Sequence, residues 1–449
     1  MCLRLLLAGG SLALLLGMVA CGQKGAATSV TSEGDNRVRL PARSDYTKFD
    51  PWLQKLLAKI DIVDDERKRF MRAYKAFEKD LVGVLRTEEP LFKLTFSRVH
   101  PTGSSFEGLR ISSPNEFDMN AVLNLPLENK GDIQVREDEA AGHLTLTLLK
   151  SATDYFGETW FTNYIKQKGE SFKINDIRKT LIKLWNGKNL SRENVLRWMQ
   201  SAADRTLVKL KNNKDLELWA VIKSISRRRA GPAITFDVCT KAGEYLSVDF
   251  VPALSFQEDV LTKEMRKRVK EISRKKREWY VIPKGPPESA AKVWRASLWD
   301  HERDYISGLE HFKPLVRLLK KLRDEQNWTG LASYYIKTSA MLIVEDMKSE
   351  GRSYFKRSIG VLLMRGLKQL KELTNACKLP FFWDKKNNLL ANMNESTCMN
   401  ISKRLNIVSK SFEKSLTDDS EDPMIYFGTS KDGLKQRNTR NAAGGVCVI

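Results

Sequence analysis

An α+β fold in two lobes is what this sequence predicts, and three observations predict it. An apolar stripe with helical spacing runs through residues 64–86. A set of alternating or β-rich segments follows between 117 and 252. From about 288 to 413 the pattern is helical almost throughout. The 449 residues suit two or three domains of roughly 150 residues each.

Taken in order, Leu3 to Cys21 form an apolar run after a single Arg4, followed by a small, polar linker. The run resembles a signal peptide, being short for a membrane span. In 64–86 the stripe is Phe70, Tyr74, Phe77, Leu81, Val84 and Leu85, with Asp64 and Asp65 where a helix dipole favours acids. Residues 117–125, 143–149, 216–225, 233–239 and 245–252 are expected strands, and 175–186 and 191–211 helices. The helical stretch after 288 breaks at Leu379-Pro380-Phe381-Phe382-Trp383. The expected organisation is a hydrophobic leader and linker over 1–44, a core lobe over 45–285, a helical lobe over 286–425 and a flexible tail over 426–449. A cleft between the lobes is the natural site.

The hydrophobic fraction of 42% excludes a wholly disordered or collagen-like chain. Lys and Arg number 76 against 55 Asp and Glu, and a net charge of +21 predicts a polyanionic partner. The six cysteines include no CxxC pair and are too few for a disulfide framework, so most are read as buried thiols in a reducing compartment. None of the four histidines has a cysteine at zinc-ligand spacing, so no zinc is expected.

Chemistry concentrates in Gly103-Ser104-Ser105 and in Asn115-Glu116-Phe117-Asp118. On a strand Glu116 and Asp118 share one face while Phe117 enters the core. Two like charges on one face call for cations, and hard divalent ions with oxygen ligands are the natural ones. In Tyr245–Phe250 the alternation buries Leu246, Val248 and Phe250 and leaves Asp249 on the other face with Ser247. Three carboxylates from two adjacent strands can hold two Mg²⁺ roughly 4 Å apart, one acidifying an attacking hydroxyl and one steadying pyrophosphate. The Gly103-Ser104 turn offers backbone N–H groups and a hydroxyl to a triphosphate, and a side chain at Gly103 would hold the phosphate off. An accidental cluster of surface acids is the competing reading.

The segment GSSFEGLRISSPNEFDMNAVLNLP resembles the active-site segment of cyclic GMP-AMP synthase and the animal cyclic GMP-AMP synthase-like receptors. RRRAGPAITFDV (227–238), YLSVDFVPAL (245–254), WYVIPKG (279–285), VWRASLWDHE (293–302) and SYYIKT (333–338) extend the resemblance over about 50–425. It implies a polymerase-β-like nucleotidyltransferase core, a mixed sheet with a long spine helix, followed by a helical lobe. It also implies synthesis of a cyclic dinucleotide from ATP and GTP with two Mg²⁺ or Mn²⁺ ions, a double-stranded nucleic acid as activator, and a product that acts on a STING-type receptor. By motif position Gly103 and Ser104 would contact triphosphate, and Glu116, Asp118 and Asp249 would be the catalytic metal ligands. Tyr334 would stack on a base with Ser333 and Lys337 beside it, and Lys320 would reach a phosphate. Arg295, Ser297 and Glu302 would meet the second nucleotide. Taken singly, Arg295 and Lys320 read equally well as surface bases and Tyr334 as a core aromatic.

The vertebrate enzyme's His and Cys zinc insertion has no counterpart here, since Arg303 to Arg317 contains no cysteine. Invertebrate members of the resembled family that lack this loop include sensors of double-stranded RNA, so the resemblance implies double-stranded RNA as activator ahead of double-stranded DNA, gripped by shape and phosphate contacts. Candidate contacts are Arg67, Lys68, Arg72 and Lys75 on the basic helix, Arg227, Arg228 and Arg229 in a loop, and Arg274, Lys275 and Lys276. The last three lie in 261–280, which has nine Lys or Arg against three Glu. An oligomer on the nucleic acid is compatible with these clusters. The alternatives are a constitutive nucleotidyltransferase and a catalytically silent nucleic-acid-binding relative. ATP, GTP and Mg²⁺ are cytosolic, so a cytoplasmic location is expected, with residues 1–21 an artefact of the gene start or a tether.

Overall fold

The computed structural model describes residues 45–434 except 139, 169–172, 229–233, 274, 286–290 and 348–349. The expected leader and linker, together with Arg229 and Arg274, lie outside the described residues. The body runs α1 (Asp50–Ile60), α2 (Asp64–Glu88), α3 (Pro90–Thr95), β1 (Phe96–Thr102), α4 (Gly103–Glu107), β2 (Glu116–Leu123), β3 (Ile133–Glu137) and β4 (His143–Leu148). Next come α5 (Ala152–Tyr155), α6 (Glu158–Gln167), α7 (Ile174–Lys183), β5 (Trp185–Asn186), β6 (Asn189–Leu190), α8 (Arg192–Asn212), β7 (Ile222–Arg228), β8 (Ile234–Thr240) and β9 (Tyr245–Gln257). The C-terminal half holds α9 (Lys263–Ile272), β10 (Glu278–Ile282), β11 (Val293–Ser297), α10 (Trp299–Ile306), α11 (Phe312–Glu325), α12 (Ser333–Asp346), α13 (Ile359–Asn375), β12 (Pro380–Phe381), β13 (Asp384–Asn388) and α14 (Glu395–Lys414).

One mixed sheet organises the site. Its main path is β1-β2-β9-β10-β11-β4-β6-β5, with β8 also on β9, β7 on β8 and β3 on β4. The central pair β2 and β9 is parallel, with Glu116 opposite Ser247 and Asp118 opposite Asp249. The other described pairs are antiparallel. Alternation puts Phe117, Leu246, Val248 and Phe250 in the core, as the sequence period requires.

The long helix α2 covers that core face. Phe70, Tyr74, Phe77, Leu81 and Leu85 are buried along its stripe, each contributing about 1.5–3 kcal/mol by leaving water. Tyr74 stacks on Phe117 at 4.6 Å and Phe77 meets Phe236 edge-on at 5.2 Å. The acids therefore occupy the sheet face away from α2. The C-terminal helices pack together, α13 against α14 and α11. Phe49 meets Phe412 edge-on at 4.9 Å, and Asp50 accepts hydrogen bonds from Ser358 and the Gly360 amide. The first helix thus packs with the last ones.

Several expectations are revised. Residues 217–220 form a 3₁₀ turn rather than the start of a strand. The Leu218 amide donates to Asp80, and Trp219 Nε1 donates to the Leu210 and Asn213 carbonyls. Within the stretch read as helical, β11 is a strand between β10 and β4, too short for its period to stand out. The break at 379–383 opens the β12–β13 hairpin. Finally, Cys377 and Cys398 form a disulfide instead of remaining thiols, because α13 and α14 bring their Cα atoms to 5.5 Å. Residues 426–434, expected in a flexible tail, are packed: Phe427 and Leu434 are buried, and Gln326 donates to the Tyr426 carbonyl. No helix among the described residues is long and apolar enough to cross a membrane.

Candidate active site

The site is built where β1 ends and β2 begins. Thr102 pairs with Asp118 across the ladder, so the chain turns into α4 directly beside that carboxylate. Gly103 makes the turn at φ +77°, and a Cβ there would overlap the Asp118 carboxylate. The glycine therefore makes room for Asp118, a stricter requirement than the phosphate approach expected from the sequence. Ser104 follows in the first turn of α4, and its carbonyl accepts the Leu109 and Arg110 amides at 3.0 and 2.9 Å. Ser105 Oγ donates to the Glu116 carbonyl at 2.6 Å, joining the turn to β2. Phe106 packs on Tyr74 and Phe117, which seats α4 on the core.

Asp118 and Asp249 stand side by side in register on parallel strands. Burial, then the charges of Asp249 and Glu116, push Asp118 up to about 6, the direction expected for a partly desolvated acid among like charges. Thr235 Oγ1 donates to Asp249 Oδ1 at 2.6 Å and fixes it from β8. Glu116 is exposed and accepts from Arg110 Nη1, while Arg110 Nη2 donates to Asn115 at 3.1 Å. A cavity of about 290 Å³ opens over Glu116, Asp118, Arg228, Thr235, Ser247 and Asp249, near the small end for ligand sites.

A divalent cation fits this donor set chemically. The aspartates offer hard oxygens, and Asp118 is raised first by burial and then by the charges of Asp249 and Glu116, which a cation would offset. Among the described residues, no group of three His, Cys, Asp or Glu side chains is arranged to hold a metal ion. Glu116 is paired with Arg110 instead.

The helical side supplies the other wall. Arg295, on β11, lies over the Tyr334 ring at 4.9 Å. The Tyr334 hydroxyl donates to Glu302 at 3.0 Å, and burial with the Glu302 charge raises its pKa. Glu302 is 3% exposed and also accepts from Lys337 at 2.7 Å and Trp383 at 3.1 Å. Lys337, 5% exposed, donates to both Glu107 oxygens at 2.9 and 3.0 Å. Both Glu302 and Lys337 are buried and paired within the chain. Lys320 is buried, donates to the Leu109 carbonyl at 2.8 Å, and is brought down to about 8 by desolvation, then by Arg323 and Arg110. Ser333 accepts from Arg323 at 2.8 Å, and Ser297 ends β11 two residues past Arg295.

Sequence reasoning missed Arg110, Thr235 and Lys284. Burial and then Arg295 lower the Lys284 pKa, while Asp118 and Asp249 oppose that shift. Lys284 thus lies electrostatically between the acids and the Arg295–Tyr334 pair. Its only available signal was its place in WYVIPKG, just past a strand.

The basic clusters separate. Arg72 and Lys68 are exposed on α2, with Lys68 4.0 Å from Asp65, while Lys75 pairs with Glu78 at 2.8 Å and Arg67 lies 4.0 Å from Asp61. Arg227 and Arg228, expected on the nucleic-acid face, have partners within the chain. Arg227 binds both oxygens of Asp204, at 2.6 and 2.8 Å. Arg228 lines the acid cavity, donating to Ser247 at 2.7 Å with Asp237 at 2.9 Å. Lys275 and Lys276 are exposed between α9 and β10.

Residues 105–308 match the Mab-21 protein nucleotidyltransferase domain, and 311–407 match the Mab-21 protein HhH/H2TH-like domain. The class is thus that of the nucleotidyltransferases, with the catalytic-type sheet followed by a helical domain. Similar proteins narrow it further. A cyclic GMP-AMP synthase-like receptor of Aethina tumida is 27% identical over 90% of this chain and 99% of its own length. One of Tribolium castaneum is 30% identical over 75% of this chain and 81% of its own. Cyclic GMP-AMP synthase-like receptor 1 of Drosophila erecta is 25% identical over 84% and 82%. The chain belongs to the cyclic GMP-AMP synthase-like receptor family.

Proposed function

We propose that this protein joins ATP and GTP into a cyclic dinucleotide, of the cyclic GMP-AMP type, when double-stranded RNA binds it. It acts in the cytoplasm as an innate immune sensor whose product engages a STING-type receptor. The observation that carries the catalytic part is the in-register pair Asp118 and Asp249, with Gly103 shaped around Asp118. Glu116, Asp118 and Asp249 would hold the divalent ions, Mg²⁺ or Mn²⁺. When bound, these supply positive charge to the triphosphate and acidify the acceptor hydroxyl.

The chain's own groups do the rest. The Gly103-Ser104 turn presents backbone N–H groups and a hydroxyl to phosphate oxygens. Tyr334, backed by the Arg295 guanidinium, offers an aromatic face to a base. Lys284 balances the acids and is placed to attract phosphate. Activator dependence is supported by the pairing of Glu116 with Arg110. That carboxylate must leave Arg110 to serve a cation, and RNA on the exposed cations of α2 would favour the change as a population shift.

Asp118→Asn and Asp249→Asn test the reading. Each is expected to remove about 99–99.9% of product without lowering thermal stability, by the scale of lost charge stabilisation at such sites. Activity kept within tenfold of wild type in either variant would refute it.

A further inference from the structure

We infer that Glu107 is a positioning residue: through Lys337 it ties the phosphate turn on α4 to the base-binding face of α12. The inference rests on the proposed nucleotide chemistry and deepens it. Glu107 is the last residue of the short helix that begins Gly103-Ser104. Lys337 lies three residues after Tyr334 on α12, so the two side chains share a helix face. The Lys337 ammonium donates to both oxygens of Glu107 and to Glu302. Glu302 in turn accepts from the Tyr334 hydroxyl. One buried cation therefore joins the group expected at the triphosphate to the ring expected under the base.

The contacts that survive without Glu107 favour this role over a purely structural one. Lys337 is shared by Glu107 and Glu302, and Lys320 also lies within electrostatic range of Glu107. Without Glu107, the Lys337–Glu302 pair would remain, with Tyr334 and Trp383 still donating to Glu302. The helix α4 would still be seated by Phe106 on Tyr74 and Phe117, and by the Ser105 bond to β2. What would be lost is the fixed distance between the two walls, and small misplacements of bound groups are costly. Lys337 and Glu302 thus act through their neighbours, and their burial is explained without a direct contact to nucleotide.

The test uses the full chain with Glu107→Ala and Glu107→Gln. Binding of Mg-ATP is measured by calorimetry, KM and kcat by product formation, and Tm by thermal unfolding. In Glu107→Ala, the Mg-ATP dissociation constant and the KM for ATP are expected to rise about tenfold. The kcat should stay within about threefold and Tm within about two degrees. Glu107→Gln, which keeps the shape and one hydrogen bond, should fall between Ala and wild type. An unchanged dissociation constant in both variants overturns the inference, as does a loss of activity that follows Tm with KM fixed. If wild type binds Mg-ATP but makes no cyclic product, the proposed reaction fails while the binding arm still decides the role of Glu107. If wild type does not bind Mg-ATP, both fail.

Discussion

At the scale of single residues, the site turns on how Asp118 is held. Its folded pKa is raised from 3.8 to about 6 by burial and by Asp249 and Glu116. Between those values the folded protein holds a proton that the unfolded chain has lost. Stability contributed by this group therefore falls as pH rises through that window. Metal-free protein should lose Tm between pH 4 and pH 6 relative to Asp118→Asn under the same conditions. Saturating Mn²⁺ at pH 7 should raise the Tm of wild type and leave Asp118→Asn unmoved, and equal shifts in both would count against the metal assignment. Gly103→Ala meets both the positive φ and the carboxylate, so it should cost about 1–3 kcal/mol and most of the activity. Both Tm and product formation check this. Strand alternation alone made the three acids legible. Arg110, Thr235 and Lys284 were not: Arg110 and Lys284 lie in loops with no period to place them, and Thr235 meets Asp249 only through the register of β8 on β9.

At the scale of elements, α2 and the strands could be read because their periods run over several repeats. Short pieces could not: β11 has five residues, and the turn at 217–220 is set by Asp80 and by the α8 carbonyls rather than by its own sequence. The same limit hides which cations are already paired, since a run of arginines does not disclose its partners. Lys68 and Arg72 are exposed on α2. Lys68→Glu with Arg72→Glu should weaken RNA binding, with the slope of log affinity against log salt falling by about two units, at unchanged Tm. Arg227→Glu breaks the two-point contact with Asp204 and should instead cost about 1–3 kcal/mol of stability. Binding isotherms over a salt series and melting curves separate the two. Should Arg227→Glu weaken RNA binding as strongly without loss of Tm, the division of these cations is wrong.

For the whole molecule, the α+β order and the two-part character were visible in the changing period along the chain. The sheet order was not, because it depends on which distant strands pair. The central parallel contact of β2 with β9 joins segments separated by α5 to α8. That contact places Asp118 beside Asp249 and leaves α2, with its exposed cations, on the opposite face. The most direct test of this account is product analysis by mass spectrometry. The full chain, freed of nucleic acid, is incubated with ATP, GTP and Mg²⁺ or Mn²⁺, in the presence of duplex RNA, duplex DNA or neither. The account predicts a cyclic dinucleotide with duplex RNA alone, absent in Asp118→Asn. Equal product with and without RNA, or no product under any of these conditions, would contradict it.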